Sequence, residues 1–265
     1  MQHIPIYQVD AFTDTLFHGN PAAVCLLEAW LPTPVLQQIA AENYLPETAF
    51  FIPTNKAGHY DLRWFTPEIE MDLCGHATMA AAHVLFYHLG WDMHSITFHT
   101  QSGPLNVTKN NDILTLDFPS RPPEEAILPP VILKGIDVYP LSVYKARDYI
   151  LVYQSEDIIR NMVPNQAIIN QVNLDPGGII VTAKGNEVDF VSRYFTPQAS
   201  IFEDPVTGSS HCSLIPFWSK QLGKKEMVAL QVSPRTGKLY CQDAGDRVLI
   251  GGTCKTYLEG KIFVP

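Results

Sequence analysis

The sequence predicts an α+β protein built from two copies of one domain, each a strand-rich layer wrapped around a central helix. Three observations lead there: a long segment repeats itself, the order of strand and helix signals recurs in the second half, and a proline-rich connector separates the copies. The repeat is anchored by Arg63-Trp64-Phe65-Thr66-Pro67, which returns as Arg193-Tyr194-Phe195-Thr196-Pro197. At the same offset of 130, Pro34, Ile39, Asn43 and Pro46 meet Pro164, Ile169, Asn173 and Pro176. Eight of the 34 positions from 34 to 67 are identical, where unrelated sequence would give roughly two. The offset then grows to 133, pairing Gly75 with Gly208 and Leu89-Gly90 with Leu222-Gly223. It grows again to 134, pairing Gly103, Leu105 and Asp112 with Gly237, Leu239 and Asp246. Insertions this small, with the turn residues kept in step, indicate a duplicated domain.

The elements of the first copy follow in order. Ile4 to Val9 and Ala22 to Leu27 read as strands around a loop from Phe12 to Asn20. Thr33 and Pro34 read as a capping hydroxyl and a first-turn proline. Leu36, Ile39 and Ala40 give the helix they open one apolar face, ending near Asn43. Thr48 to Pro53 and Tyr60 to Phe65 read as strands. Gly75 to Leu89 is apolar on most sides, which predicts a buried helix stopped by Gly90. Ser95 to Thr100, Leu105 to Lys109 and Ile113 to Phe118 complete the layer. The second copy repeats the pattern, with Ser209 to Gln221 as its buried helix, Gly223 as the stop and Pro216 expected to kink it. The connector runs from Pro119-Ser120-Arg121-Pro122-Pro123 to Pro129-Pro130. The expected domains are therefore 1–118 and 131–265, with 119–130 as a semi-rigid linker. Two equivalent domains are expected to face each other across a cleft, a favoured place for a ligand.

Composition narrows the function. With 18 basic and 27 acidic residues the net charge is −9, which argues against nucleic acid or an anionic membrane as partner. Five cysteines at 25, 74, 212, 241 and 254 form no Cys-x-x-Cys pair, so a reducing, cytoplasmic setting is expected. No signal peptide and no membrane span are read in the chain. His83 and His88 stand five apart, a spacing that does not share a helix face, so no metal site is expected there.

Candidate chemistry gathers at the starts of the two buried helices. Cys74-Gly75-His76 opens one, and Asp204-Pro205-Val206-Thr207-Gly208-Ser209 opens the other. Free N–H groups and partial positive charge at helix N-termini suit a carboxylate or oxyanion. His76 could move a proton or orient a substrate, and Asp204 could do the latter. Cys74 is a candidate secondary acid/base. Glu47, between Pro46 and Thr48 and ahead of Ala49-Phe50-Phe51, is a candidate acid/base in apolar company. The repeat singles it out: Pro46 meets Pro176, yet Glu47 then falls opposite Gly177. A residue needed only for the fold should tend to appear in both copies.

These stretches, together with Gln8-Val9-Asp10-Ala11-Phe12 and Gly19-Asn20-Pro21-Ala22-Ala23-Val24, resemble the PhzF-like phenazine biosynthesis family. That family has the diaminopimelate epimerase-like fold. The resemblance implies two pseudo-symmetric domains, each a barrel-like, largely antiparallel sheet around a central helix, with the site between them. It implies no metal and no organic cofactor, and it favours a homodimer; the expected partner is a small-molecule carboxylate substrate. It implies an isomerase like the one acting on trans-2,3-dihydro-3-hydroxyanthranilate, with Glu47 as the acid/base. His76 and Asp204 then contact substrate, and Gly75, Gly208 and Ser209 belong to the binding helix ends. Two departures bear on this. Pro46 replaces a frequent serine, removing one substrate hydrogen bond. Pro205 stands where epimerases of this fold carry a second catalytic thiol. An epimerase using Cys74 with Glu47 and a non-catalytic binding module are the competing readings.

Overall fold

The computed structural model describes residues 2–174 and 177–264; Pro176, the repeat partner of Pro46, lies outside them. The chain divides into one compact unit of Met1–Phe118 with Ile250–Pro265 and another of Pro119–Leu249.

The first unit begins with β1 (Gln2–Ala11), β2 (Asn20–Leu26), α1 (Thr33–Asn43), β3 (Glu47–Pro53), β4 (His59–Phe65) and β5 (Glu70–Met71). It continues with α2 (Gly75–Tyr87), β6 (Ser95–Thr100), β7 (Gly103–Asn110) and β8 (Ile113–Pro119). Neighbouring strands pair antiparallel except β2 with β3 and β4 with β6, which are parallel. Helix α2 is buried from Gly75 to Phe86, which is why its sequence is apolar all round. Helix α1 instead shows one face: Leu36, Ile39 and Ala40 pack against Phe50, Phe65, Ala23 and Cys25 of the sheet. Thr33 does not cap this helix. Pro32 is the N-cap, and the Thr33 hydroxyl accepts from Arg63 Nη2 at 2.9 Å.

The second unit carries β9 (Glu124–Glu125), α3 (Pro130–Ile136), β10 (Ser142–Lys145), β11 (Tyr149–Val152), α4 (Glu156–Asn161) and α5 (Gln166–Ile169). Then come β12 (Ile179–Lys184), β13 (Phe190–Phe195), β14 (Glu203–Asp204), α6 (Gly208–Leu222), β15 (Glu226–Gln231) and β16 (Gly237–Asp243). β17 (Arg247–Gly252) and β18 (Cys254–Val264) end the chain. The pairing pattern repeats: β11 with β12 and β13 with β15 are parallel, and the intervening β12–β13 pair is antiparallel. Helix α6 is the buried centre, and α3, α4 and α5 cover the outer face through Ile132, Ile159 and Ile169. Each unit is thus a largely antiparallel sheet around one helix, as the sequence predicts.

Two expectations change. Residues 250–265 belong with the first unit, not with 131–249, because β18 pairs antiparallel with β1 along its whole length. Residues 119–130 are no free linker: Ser120, Arg121 and Ala126 donate backbone N–H bonds to Asp246, Cys212 and Val143 within the second unit. Pro216 lies inside α6, which runs through it to the left-handed Gly223. Proline has no N–H for the carbonyl four residues back. That carbonyl is Cys212, and Arg121 N–H bonds it at 2.9 Å instead.

Candidate active site

Glu47 opens β3, placed there by the parallel pairing of Ala22 with Glu47. The left-handed Tyr44 ends α1, and Asn43 Nδ2 donates to Thr48 Oγ1 at 3.1 Å, fixing the turn between helix and strand. His76 lies in the first turn of α2, where the helix starts at Gly75 behind an extended Cys74. The two meet: His76 Nε2 is 3.0 Å from Glu47 Oε2, with the side chains 3% and 14% exposed. The carboxylate lies off the line of a ring N–H, so this is a close charge contact and not a well-formed hydrogen bond. The other ring nitrogen, Nδ1, is 3.0 Å from Asn20 Nδ2 and 3.6 Å from Cys74 Sγ. Gly19, which precedes Asn20, has φ +64°, and a Cβ there would stand 2.1 Å from the Ala11 carbonyl oxygen. The approach to Asn20 therefore demands glycine.

Electrostatics follow from this packing. Burial alone would lower His76, but Cys74 and Glu47 outweigh it and hold the ring well above its usual 6.5. The Cys74 thiol is pushed up to about 11, first by burial and then by the Glu47 charge. It is a neutral thiol near pH 7, so there the charge acting on the His76 ring is that of Glu47. Glu47, Cys74 and His76 are also the one group of three metal-ligand residues among those described, with ligand atoms within 4.8 Å of one another. Glu47 and Cys74 address different nitrogens of the same ring, so holding one ion would require His76 to turn. His83 and His88 do come together, contrary to their spacing: both place Nε2 on Thr256 Oγ1, at 2.9 and 2.8 Å. His88 lies past the end of α2 and is free to bend back.

In the second unit, Asp204 sits in the two-residue strand β14 and accepts a short hydrogen bond from Thr207 Oγ1. Gln231 clamps this turn: it accepts from Thr207 N–H at 2.9 Å and donates to the Asp204 carbonyl at 2.8 Å. Gly208 is buried and Ser209 half-buried in the first turn of α6. Asn20 and Gln231 are the residues that motif reasoning leaves unassigned. Asn20 carries a signal, a polar side chain at the head of the apolar strand Pro21 to Leu26. Gln231, at the end of an ordinary alternating strand, carries none.

Strand register also corrects the counterpart of Glu47. Thr48 pairs with Phe65, whereas Ile179 pairs with Phe195. Glu47 therefore corresponds to Gly178, not Gly177. A Cβ at Gly178 would lie 2.6 Å from the Tyr194 hydroxyl. That hydroxyl and the Gly178 N–H both bond Asp148 Oδ1, at 3.0 and 2.8 Å. The equivalent place is thus filled and satisfied. Its first-unit analogue of Tyr194, Trp64, keeps a buried indole N–H without a partner among the described residues.

The fold is shared with a hydroxyproline epimerase from Agrobacterium vitis, which superposes with a TM-score of 0.63 at 9% identity, over 98% of this chain and 92% of that one. The chain belongs to the phenazine biosynthesis-like protein family, whose PhzC-PhzF model matches residues 9–260. A PhzF-family crystal structure from Enterococcus faecalis is 45% identical, with a TM-score of 0.94 over 99% of this chain and 100% of that one. A Pseudomonas aeruginosa protein named uncharacterized isomerase PA2770 is 44% identical over 98% of both chains. The family and these neighbours support an isomerase role.

Proposed function

We propose that the protein is a cofactor-independent isomerase that moves a proton on a small amino-acid-like or cyclic carboxylate, with Glu47 as the acid/base. The observation that carries this reading is the 3.0 Å contact between the partly exposed Glu47 carboxylate and the buried His76 ring at the start of α2. Glu47 takes a proton from a carbon next to a carboxylate or conjugated system and returns it at another position. The N–H groups following Gly75 face the charge that develops, and His76 orients the substrate. A positioned acid/base is worth about 10²- to 10⁴-fold. In this reading Asp204, Gly208 and Ser209 bind the same substrate, as their motif resemblance implies. The trans-2,3-dihydro-3-hydroxyanthranilate isomerase reaction is the model for the chemistry. A homodimer and a cytoplasmic setting complete the proposal; sedimentation at equilibrium tests the first. No described helix is long and apolar enough to cross a membrane.

An epimerase using Glu47 and Cys74 on opposite faces of one carbon fits the geometry less well. Two such groups, each about 3 Å from the carbon, stand about 6 Å apart, and the ligand atoms of Glu47 and Cys74 lie within 4.8 Å. The test is a panel of small carboxylates incubated in deuterated water and read by mass spectrometry. Deuterium wash-in with the wild type and none with Glu47→Gln supports the proposal. Full exchange in Glu47→Gln refutes it. Wash-in lost in Cys74→Ala but kept in Glu47→Gln favours the thiol.

A further inference from the structure

The first unit carries a second arrangement of nitrogen ligands, on the sheet face opposite its central helix. Strands β4 and β6 are parallel, with His59 in register with Thr97, Tyr60 with Phe98 and Asp61 with His99. Tyr60 and Phe98 point inward, where Tyr60 packs edge-on against Phe51 at 5.6 Å and lies 6.1 Å from Phe98. Alternation therefore sends His59, Asp61, Thr97 and His99 outward. His59 is half-buried and His99 exposed. Their rings are stacked with centroids 5.2 Å apart, and His59 Nδ1 lies 3.0 Å from His99 Nε2. A contact this short between two ring nitrogens is bridged by one proton, with the two nitrogens facing each other.

We propose that His59 and His99 form a two-imidazole site for a borderline divalent transition-metal ion of the zinc(II) class, which takes the place of the shared proton. Zinc–nitrogen bonds of about 2.05 Å at a tetrahedral angle need nitrogens about 3.3 Å apart. A square-planar ion needs about 2.8 Å. The observed 3.0 Å lies between the two, and rotation of both accessible rings, by roughly 40° each, turns their lone pairs onto one ion. Water completes the coordination. Asp61, in register with His99, supplies negative charge on this face, and Lys56 opposes the cation. Because the ion would tie β4 to β6 across their solvent face, binding should also stabilise the first unit. The site is independent of the reaction proposed for Glu47.

The experiment is a zinc(II) titration of full-length protein labelled with ¹⁵N-histidine, following the imidazole resonances. The His59 and His99 signals should move together and saturate at one equivalent, and the melting temperature should rise with zinc. His59→Gln and His99→Gln should each weaken this binding at least tenfold, in the spirit of a broken chelate at about 10²-fold or more, with an unchanged circular dichroism spectrum. Zinc that leaves both signals unmoved at submillimolar concentration overturns the proposal. So does either variant keeping wild-type affinity, or a thermal shift that survives in the double variant.

Discussion

At the scale of single residues, burial decides what the ionisable side chains can do. His211, fully buried in α6, donates through Nδ1 to the Thr207 carbonyl at 2.8 Å. Burial lowers it from 6.5 to about 4. Its folded pKa lies below its unfolded one, so the unfolded chain binds the proton first. The stabilisation is complete above about pH 6.5 and is lost as pH falls from there toward 4, by about 3 kcal/mol for the full shift. Urea melts across that range should show the slope, and His211→Asn should flatten part of it. His83 is held down to about 4 as well and keeps the remainder. The cysteines follow the same rule. Burial pushes Cys74 to about 11 and Cys25 and Cys212 to about 12, and Cys241 and Cys254 upward too. Ellman's reagent at mildly alkaline pH should find no fast thiol in the native protein and all five after denaturation. A fast-reacting Cys74 would show that the helix start is open to reagent. At this scale Glu47, Cys74 and His76 were legible as chemistry-bearing types at a helix start. Asn20 was not assigned, because its use depends on a ring 56 residues away.

At the scale of elements, the duplication preserves a charge pair as well as a motif. Arg63 grips Glu70 through Nε and Nη2, both at 2.7 Å. Arg193 grips Glu203 in the same way, at 2.7 and 2.8 Å. The first ties β4 to β5 and the second ties β13 to β14, in each unit the short strand leading into the central helix. The two differ in burial. Arg193 and Glu203 are 10% and 17% exposed, against 22% and 21% for Arg63 and Glu70. Arg193 also satisfies the Ile159 and Met162 carbonyls. Arg193→Ala should cost about 3–5 kcal/mol, since a buried carboxylate is left behind. Arg63→Ala should cost about 1–2 kcal/mol. Denaturant midpoints of the two variants compare them directly. Pro216 makes a different prediction. Pro216→Ala restores an N–H that competes for the Cys212 carbonyl, so the Arg121 amide should exchange with solvent about tenfold faster. Unchanged exchange there would mean the connector is held by other bonds. The helix itself was predictable from its apolar residues, but that a proline could sit inside it unharmed depended on a donor from outside the helix.

At the scale of the whole molecule, the units differ in how the chain supplies them. The second is one continuous stretch, whereas the first needs residues from both ends of the sequence. A fragment of 119–249 should fold alone with a cooperative melt. A fragment of 1–118 should not, because β1 loses the partner that pairs with all of it. Adding back 250–265 as a peptide or by fusion should restore its fold, read by circular dichroism. The sequence by itself determined that there are two copies, that each has a buried central helix, and which helix starts carry reactive groups. Those are statements about local apolar periodicity and about identity between positions, and both are written along the chain. Only the tertiary structure decided that Asn20, Glu47, Cys74 and His76 meet, through the parallel neighbours β2 and β3 and the start of α2. It also decided that Gly178 is the true counterpart of Glu47, and that the last strand returns to the first unit. These depend on register and on pairings between distant segments, where a shift of one residue reverses every side chain.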